Sequence, residues 1–251
     1  MIKLFRKIRY NLMENGKTGK PAFAAGRYLK YALGEIILVM IGILLALQVN
    51  NWNENKKERK VETKLLNEIH ANLKRDYQNL NIKIEETNRF KIANRKILEH
   101  LENKMPLNDS LKCYYSLLNA YGNFRAITAG YENLKSKGVG IIINDSLRSS
   151  ILELYDYQYF HFVEDITYAI EDFRANKSEY LSNHIYTYSE GNLSRAGIPY
   201  DLNELQNNRK FKGYLKSTML VHDWMNGRRT TGLKKIEEVM LKIENELETR
   251  K

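Results

Sequence analysis

The chain has one cysteine, Cys113, and only three prolines, Pro21, Pro106 and Pro199, in 251 residues. A lone cysteine excludes an internal disulfide, and with it any zinc or iron–sulfur site that needs several thiolates from this chain. No His-Glu-x-x-His pair and no Gly-x-Ser-x-Gly elbow occurs. The histidines His70, His100, His161, His184 and His222 lie far apart, and none follows a glutamate by three residues as a di-iron bundle requires. Each is expected at the surface or at a bundle edge. Gly16-Lys17-Thr18 lacks the glycine that opens a phosphate loop, and Gly138-Val139-Gly140 lacks the third glycine of a dinucleotide turn. Cys113 has no nucleophile pattern around it and is expected as a small apolar core residue. These absences predict a chain that is not an enzyme and holds no metal or cofactor.

What is present is unevenly placed. Lys and Arg number 40 against 30 Asp and Glu, a formal charge of +10, and eight of the bases fall in residues 1–30 beside a single acid, Glu14. The basic character therefore belongs mainly to an N-terminal arm. In residues 1–12 Leu4, Phe5, Ile8 and Leu12 share one helical face, and Lys3, Arg6, Lys7 and Arg9 lie off it, an arrangement suited to anionic lipid head groups. Nucleic acid would want the bases on a folded face with aromatics between them, and is not expected as a partner.

Behind the arm, Tyr31 to Val49 reads YALGEIILVMIGILLALQV, with no polar side chain from Ile36 to Leu47. Nineteen helical residues reach roughly 28 Å, the hydrocarbon thickness of a bilayer. Tyr28, Tyr31 and Trp52 bracket the run at the expected interfaces. No small-x-small cleavage pattern follows, so an uncleaved signal anchor is expected rather than a removed leader. The arm and the amphipathic start favour a cytoplasmic N-terminus and a periplasmic C-terminal part. Matched windows leave that orientation finely balanced, with four bases in residues 11–30 and five in 51–70. The chain is thus expected to divide into a basic amphipathic arm (1–30), an anchor helix (31–50) and a helical bundle domain (51–251).

Glu35 is the one ionisable group inside the span, and an acid there is a candidate site. It can lean toward Lys30 and Arg27 at the interface, or meet a polar group on a partner helix. Gly34, Leu38, Gly42 and Ala46 recur every four residues, a small-residue track on which helices approach closely. Gly34, Glu35, Gly42 and Ala46 are therefore the candidates for association within the membrane, either with another membrane protein or with a second copy.

Beyond Trp52, Val61, Leu65, Ile69, Leu73, Tyr77, Leu80 and Ile84 repeat at helical spacing, and no proline occurs between Pro21 and Pro106. One helix is predicted from the span to about Asn103, with a possible break at Asn50–Asn55. Its drift from strict 3.5 spacing favours packing inside a bundle over an oligomeric stalk. Short helices follow, one from Asn108/Asp109 to Tyr121 and one over Ala129–Lys137 with Gly138 as a left-handed stop. A long helix capped by Asp145 carries Ile151, Tyr155, Tyr159, Phe162, Ile166, Ile170 and Phe173. A loop is expected at Gly191–Pro199. The last helix begins near Asp201 and ends on the apolar face of Leu233, Ile236, Met240, Ile243 and Leu247. No long period-two stretch argues for a sheet, so the fold class is all-α: one N-terminal transmembrane helix continuing into a long helix, then an antiparallel helical bundle.

Two segments carry a resemblance. KYALGEIILVMIGILLALQVNNWNENKKERK (30–60) and GYENLKSKGVGIIINDSLRSSILELYDYQYF (130–160) resemble the two signatures of a bacterial family of uncharacterised single-span proteins. The resemblance implies this architecture and a bacterial envelope setting. It implies no activity, and no site residue is carried over.

Aromatic residues form two clusters, Tyr155 to Phe162 and Tyr180 to Tyr188. Tyr157 and Phe160 fall off the core stripe, and Tyr186 and Tyr188 lie near a helix end. Exposed rings give large contact area at little entropic loss and are candidate contacts for a partner protein or a glycan. The expected role is that of a membrane-anchored interaction or scaffold protein. The rivals are a single-span sensor ectodomain and an accessory subunit of a membrane motor or transporter complex that uses Glu35.

Overall fold

The computed structural model describes residues 24–118, 120–190 and 193–250. The arm's Lys3, Arg6, Lys7 and Arg9 lie outside the described residues. By its internal contacts the chain forms two units, one ending at Glu58 and one comprising Arg59–Lys251.

Helix α1 runs Ala24–Glu102 without interruption at Asn50–Asn55. Its end has a local cause. Lys104 takes a positive φ of 50°, and the Met105 N–H donates to His100 O at 3.2 Å, closing a Schellman-type stop just ahead of Pro106. Helix α2 covers Asp109–Ser116, stopping short of the expected Tyr121, and its first turn is capped by Asn108 Oδ1 accepting from Leu111 N–H at 2.9 Å. Helix α3 spans Ala129–Lys137 and stops at Gly138, whose φ of 92° is positive but whose ψ of 122° lies outside the expected left-handed helical well.

Helix α4, Asp145–Glu153, is capped by Asn144, whose Oδ1 accepts from Leu147 N–H at 3.1 Å. Asp145, expected as the cap, is instead the first helical residue. The helical path continues through two π turns, Leu154–Gln158 and Phe160–Glu164, into α5, Asp165–Ser182. Helix α6, Leu202–Asn207, is capped by Asp201, and α7, Arg209–Glu248, by Asn208. The expected single last helix is thus broken at Asn208, whose amide satisfies the first turn of a new one.

A hairpin replaces the expected loop: β1, Ile185–Glu190, pairs antiparallel with β2, Leu193–Pro199, Tyr186 opposite Ile198 and Tyr188 opposite Ala196. Tyr186 and Tyr188 therefore stand on a strand, two residues apart on one face, and not at a helix end. The pairing is possible because β2 is small where it meets α2. A Cβ on Gly197 would lie 2.8 Å from backbone atoms of Tyr115 and Ser116. The hairpin leaves the all-α character of the whole in place.

Three long helical arms (α1, α4 through α5, and α7) enclose two apolar cores. Leu65, Leu66, Ile69, Leu73 and Leu80 pack with Leu147, Ile151, Tyr159, Phe162, Ile236 and Ile243 at one end. Ile97, Leu101, Tyr115, Ile166, Ile170, Leu205, Phe211 and Leu215 fill the other. The whole stripe from Ile151 to Phe173 is buried, as its spacing predicts. On α1, Leu65, Ile69, Leu73 and Leu80 are buried and Tyr77 is partly buried, whereas Val61 is exposed.

Candidate functional site

The first unit presents a helix that no other described residue covers. One helix among the described residues is long and apolar enough to cross a bilayer. From Leu33 to Trp52 its large apolar side chains are exposed, from 40% at Leu38 to 66% at Trp52. Such a surface is stable only in lipid or against another protein. Glu35, Ile36, Val39, Met40, Ile43 and Leu44 line a shallow depression along it. A Cβ added at Gly34 or Gly42 would meet nothing within 4 Å, and Ala46 is equally exposed, so the small-residue track is open along its length. At the far end Lys56 lies over the Trp52 ring, 5.3 Å from its centroid.

In the second unit the two π turns are the local irregularity. Each adds a residue to a turn and swings the following side chains, a feature found disproportionately where helices do work. Tyr157 and Phe160 project outward, 59% and 44% exposed, as their place off the core stripe predicts. Both rings sit on His161, with centroids 4.7 and 5.6 Å away. His161 Nδ1 is 3.2 Å from Asp165, which Arg228 of α7 reaches at 4.0 Å. Arg228 also covers the Trp224 ring at 5.6 Å. Tyr168 continues the exposed face on α5.

Beneath the ridge the same turns are pinned from inside. Tyr159 Oη donates to Asp76 Oδ2 at 2.6 Å, and both carboxylate oxygens of Asp76 accept from Ile127 N–H at 3.1 Å. Burial pushes the Asp76 carboxyl up, against those two hydrogen bonds. Tyr131 Oη donates to Asp156 at 2.6 Å, and its ring stacks on Tyr155 at 4.5 Å. Burial raises the phenols of Tyr131, Tyr155 and Tyr159, so all three remain neutral at ordinary pH, Tyr131 and Tyr159 as donors.

Between the two apolar cores lies a polar layer. Arg229 is fully buried. It donates to Lys83 O at 3.2 Å, to Thr87 Oγ1 at 2.6 Å and to Gly122 O, all neutral acceptors. Burial lowers its guanidinium to about 10. His222 is 1% exposed, and both of its ring nitrogens, like Tyr121 Oη and Arg229 Nε, have no hydrogen-bond partner among the described residues. Burial first, and the Arg229 charge second, pull the His222 imidazole down to about 4. His100 is also fully buried, with Nδ1 3.1 Å from Tyr115 Oη. Both histidines correct the expectation of a surface or edge placement. His222 and Arg229 sit seven residues apart, on the face that Ile236 and Ile243 continue, so the apolar stripe of α7 runs back through two polar residues. Cys113 is half-buried rather than buried.

On the hairpin Tyr186 and Tyr188 stack at 5.5 Å, with Tyr186 49% exposed and Tyr200 beside it at 6.3 Å. The structure thus sorts the candidate aromatics into two separate groups, Tyr157 with Phe160 and Tyr186 with Tyr188. It adds Tyr168, Trp224, Asp76 and Arg229, none of them named from the sequence, and moves His222 from the expected surface or edge to the interior. Among the described residues no group of three or more His, Cys, Asp or Glu side chains is gathered as a metal site.

Residues 35–183 match a family of unknown function, DUF6090, and the chain belongs to that family. No curated protein and no solved structure matches it.

Proposed function

We propose that this chain is a single-span, non-enzymatic interaction protein of a bacterial envelope, working without a cofactor. Residues 31–50 are its uncleaved signal anchor in the inner membrane. The basic arm lies on the cytoplasmic face, with Lys3, Arg6, Lys7 and Arg9 against lipid head groups, and the bundle lies in the periplasm. The span, along Gly34, Glu35, Gly42 and Ala46, meets another membrane protein or a second copy. The observation that supports this most is the uncovered apolar helix from Leu33 to Trp52, joined in one chain to a bundle with a well-filled core. The exposed rings on that bundle support a binding role over a purely mechanical one.

Cys113 tests the topology directly, because it is the only cysteine and is half-buried. In intact cells of a host with an outer membrane made permeable, a membrane-impermeant maleimide should label it without lysis. Labelling only after the inner membrane is broken would place the bundle in the cytoplasm.

A sensor is the second reading, favoured by the unpartnered polar atoms of His222, Tyr121 and Arg229. A small ligand there should raise the unfolding temperature of the full-length protein in a screen of small anions and polar metabolites. A flat screen counts against it.

A further inference from the structure

The stretch that carries the aromatic ridge has a charge pattern unlike the rest of the chain. Residues 149–173 contain six acids (Glu153, Asp156, Glu164, Asp165, Glu171 and Asp172) and no Lys or Arg, in a protein whose formal charge is +10. At the chain's average, 25 residues would hold about four bases. Two of these acids, Glu164 and Glu171, pair with no cation among the described residues, and the other four have partners within the bundle. Glu153 accepts from Gln158, Asp156 from Tyr131, and Asp165 faces His161 and Arg228. Glu164 and Glu171 are exposed and have no hydrogen bond or ion pair among the described residues. The same helical path carries the exposed rings of Tyr157 and Phe160 ahead of Glu164 and of Tyr168 between Glu164 and Glu171, 59%, 44% and 60% exposed. Arg228 reaches the face from α7 and is held by Asp165 and the Trp224 ring.

We propose that this acidic and aromatic face docks a Lys- or Arg-rich segment of a partner protein. The inference rests on the interaction reading above and names the chemistry of the partner. Charge complementarity selects the occupant: unpaired carboxylates repel an anionic lipid surface and nucleic acid, and they attract cationic side chains. The rings add what carboxylates alone lack. Tyrosine and phenylalanine faces attract ammonium and guanidinium groups, and their flat area buries the aliphatic stems that carry those charges. The π turns are what set Tyr157, Phe160 and His161 side by side, and the Asp76–Tyr159 and Tyr131–Asp156 bonds hold those turns from beneath.

The test uses the full-length protein in phosphatidylcholine nanodiscs and a fluorescein-labelled deca-lysine peptide read by anisotropy. The wild type should bind, and binding should weaken as salt is raised. A Tyr157→Ala/Phe160→Ala/Tyr168→Ala variant should lose about tenfold in affinity, as truncated anchor rings do. Glu164→Gln/Glu171→Gln should also weaken binding, and should do so without removing any contact inside the bundle. Glu85→Gln/Glu237→Gln, exposed acids elsewhere, should bind as the wild type does. Absence of binding to the wild type overturns the inference. So does binding that the Glu164/Glu171 variant and the ring variant both leave unchanged, since that is unspecific attraction. A wild type that rejects deca-lysine yet still purifies in a complex would overturn the basic partner and leave the interaction reading standing.

Discussion

At the scale of single residues, His222 decides how the bundle responds to pH. Its folded imidazole is pulled to about 4 from an ordinary value of 6.5, by burial first and by the Arg229 charge second. The groups facing it are Arg229, the Tyr121 and Phe90 rings, and the Asp223–Lys91 pair. Below the ordinary value the unfolded chain takes up a proton that the folded chain refuses. Stability is therefore fully present above about pH 6.5 and is lost as pH falls toward 4, by about 3 kcal/mol over the window. Buried His100, lowered in the same direction by its own burial, adds to the slope. Urea unfolding of the full-length protein from pH 7 to pH 4.5 should show that decline, and His222→Leu should flatten much of it. An unchanged slope in the variant would mean that water or a bound group already satisfies the imidazole.

At the scale of elements, α7 lies tight against the second π turn at Gly232. A Cβ there would stand 2.6 to 2.9 Å from the Phe162 ring. Helix propensity alone says that Gly232→Ala should stabilise α7 by about 1 kcal/mol. The overlap is with a buried ring and costs roughly 1–3 kcal/mol, so packing wins and the variant should be less stable. Phe162→Leu in the same chain should recover part of the loss, and a denaturation midpoint that rises in the single variant would contradict the geometry. Two of the arms were legible in the sequence because their apolar spacing is long and regular, α1 to Glu102 and the buried run from Ile151 to Phe173, and the short α3 was legible from its glycine stop at Gly138. The hairpin was not, because only β1, with Ile185, Tyr186, Thr187 and Tyr188, carries strand formers, whereas its partner β2, with Ser, Ala and Gly, has little β signal and is fixed by contact with α2. The π turns left no trace in periodicity, since one added residue per turn still keeps Tyr155, Tyr159 and Phe162 inward. Asp76, His222 and Arg229 occupy stripe positions, and a strict reading of helical faces would have flagged them as buried polar residues.

At the scale of the whole molecule, the chain combines an uncovered apolar helix with a bundle whose cores are complete. The candidate site was legible here in kind more than in detail. The exposed span, its open small-residue track and the outward Tyr157 and Phe160 all follow from sequence spacing. The acidic ridge emerges only when the fold shows which carboxylates remain unpaired. Under the interaction reading Glu35 is a local polar contact and not a proton carrier. Glu35→Gln should then leave membrane insertion and any complex intact, whereas loss of activity with assembly preserved would point to an ion-driven machine.

The most direct test of that reading is to extract the tagged full-length protein from its own membranes in a mild detergent and determine the mass and composition of what purifies with it. The account predicts resistance to alkaline carbonate extraction and a defined, stoichiometric assembly, with another membrane protein or with further copies of the chain. Release by carbonate, or a bare monomer in every mild detergent, would contradict it.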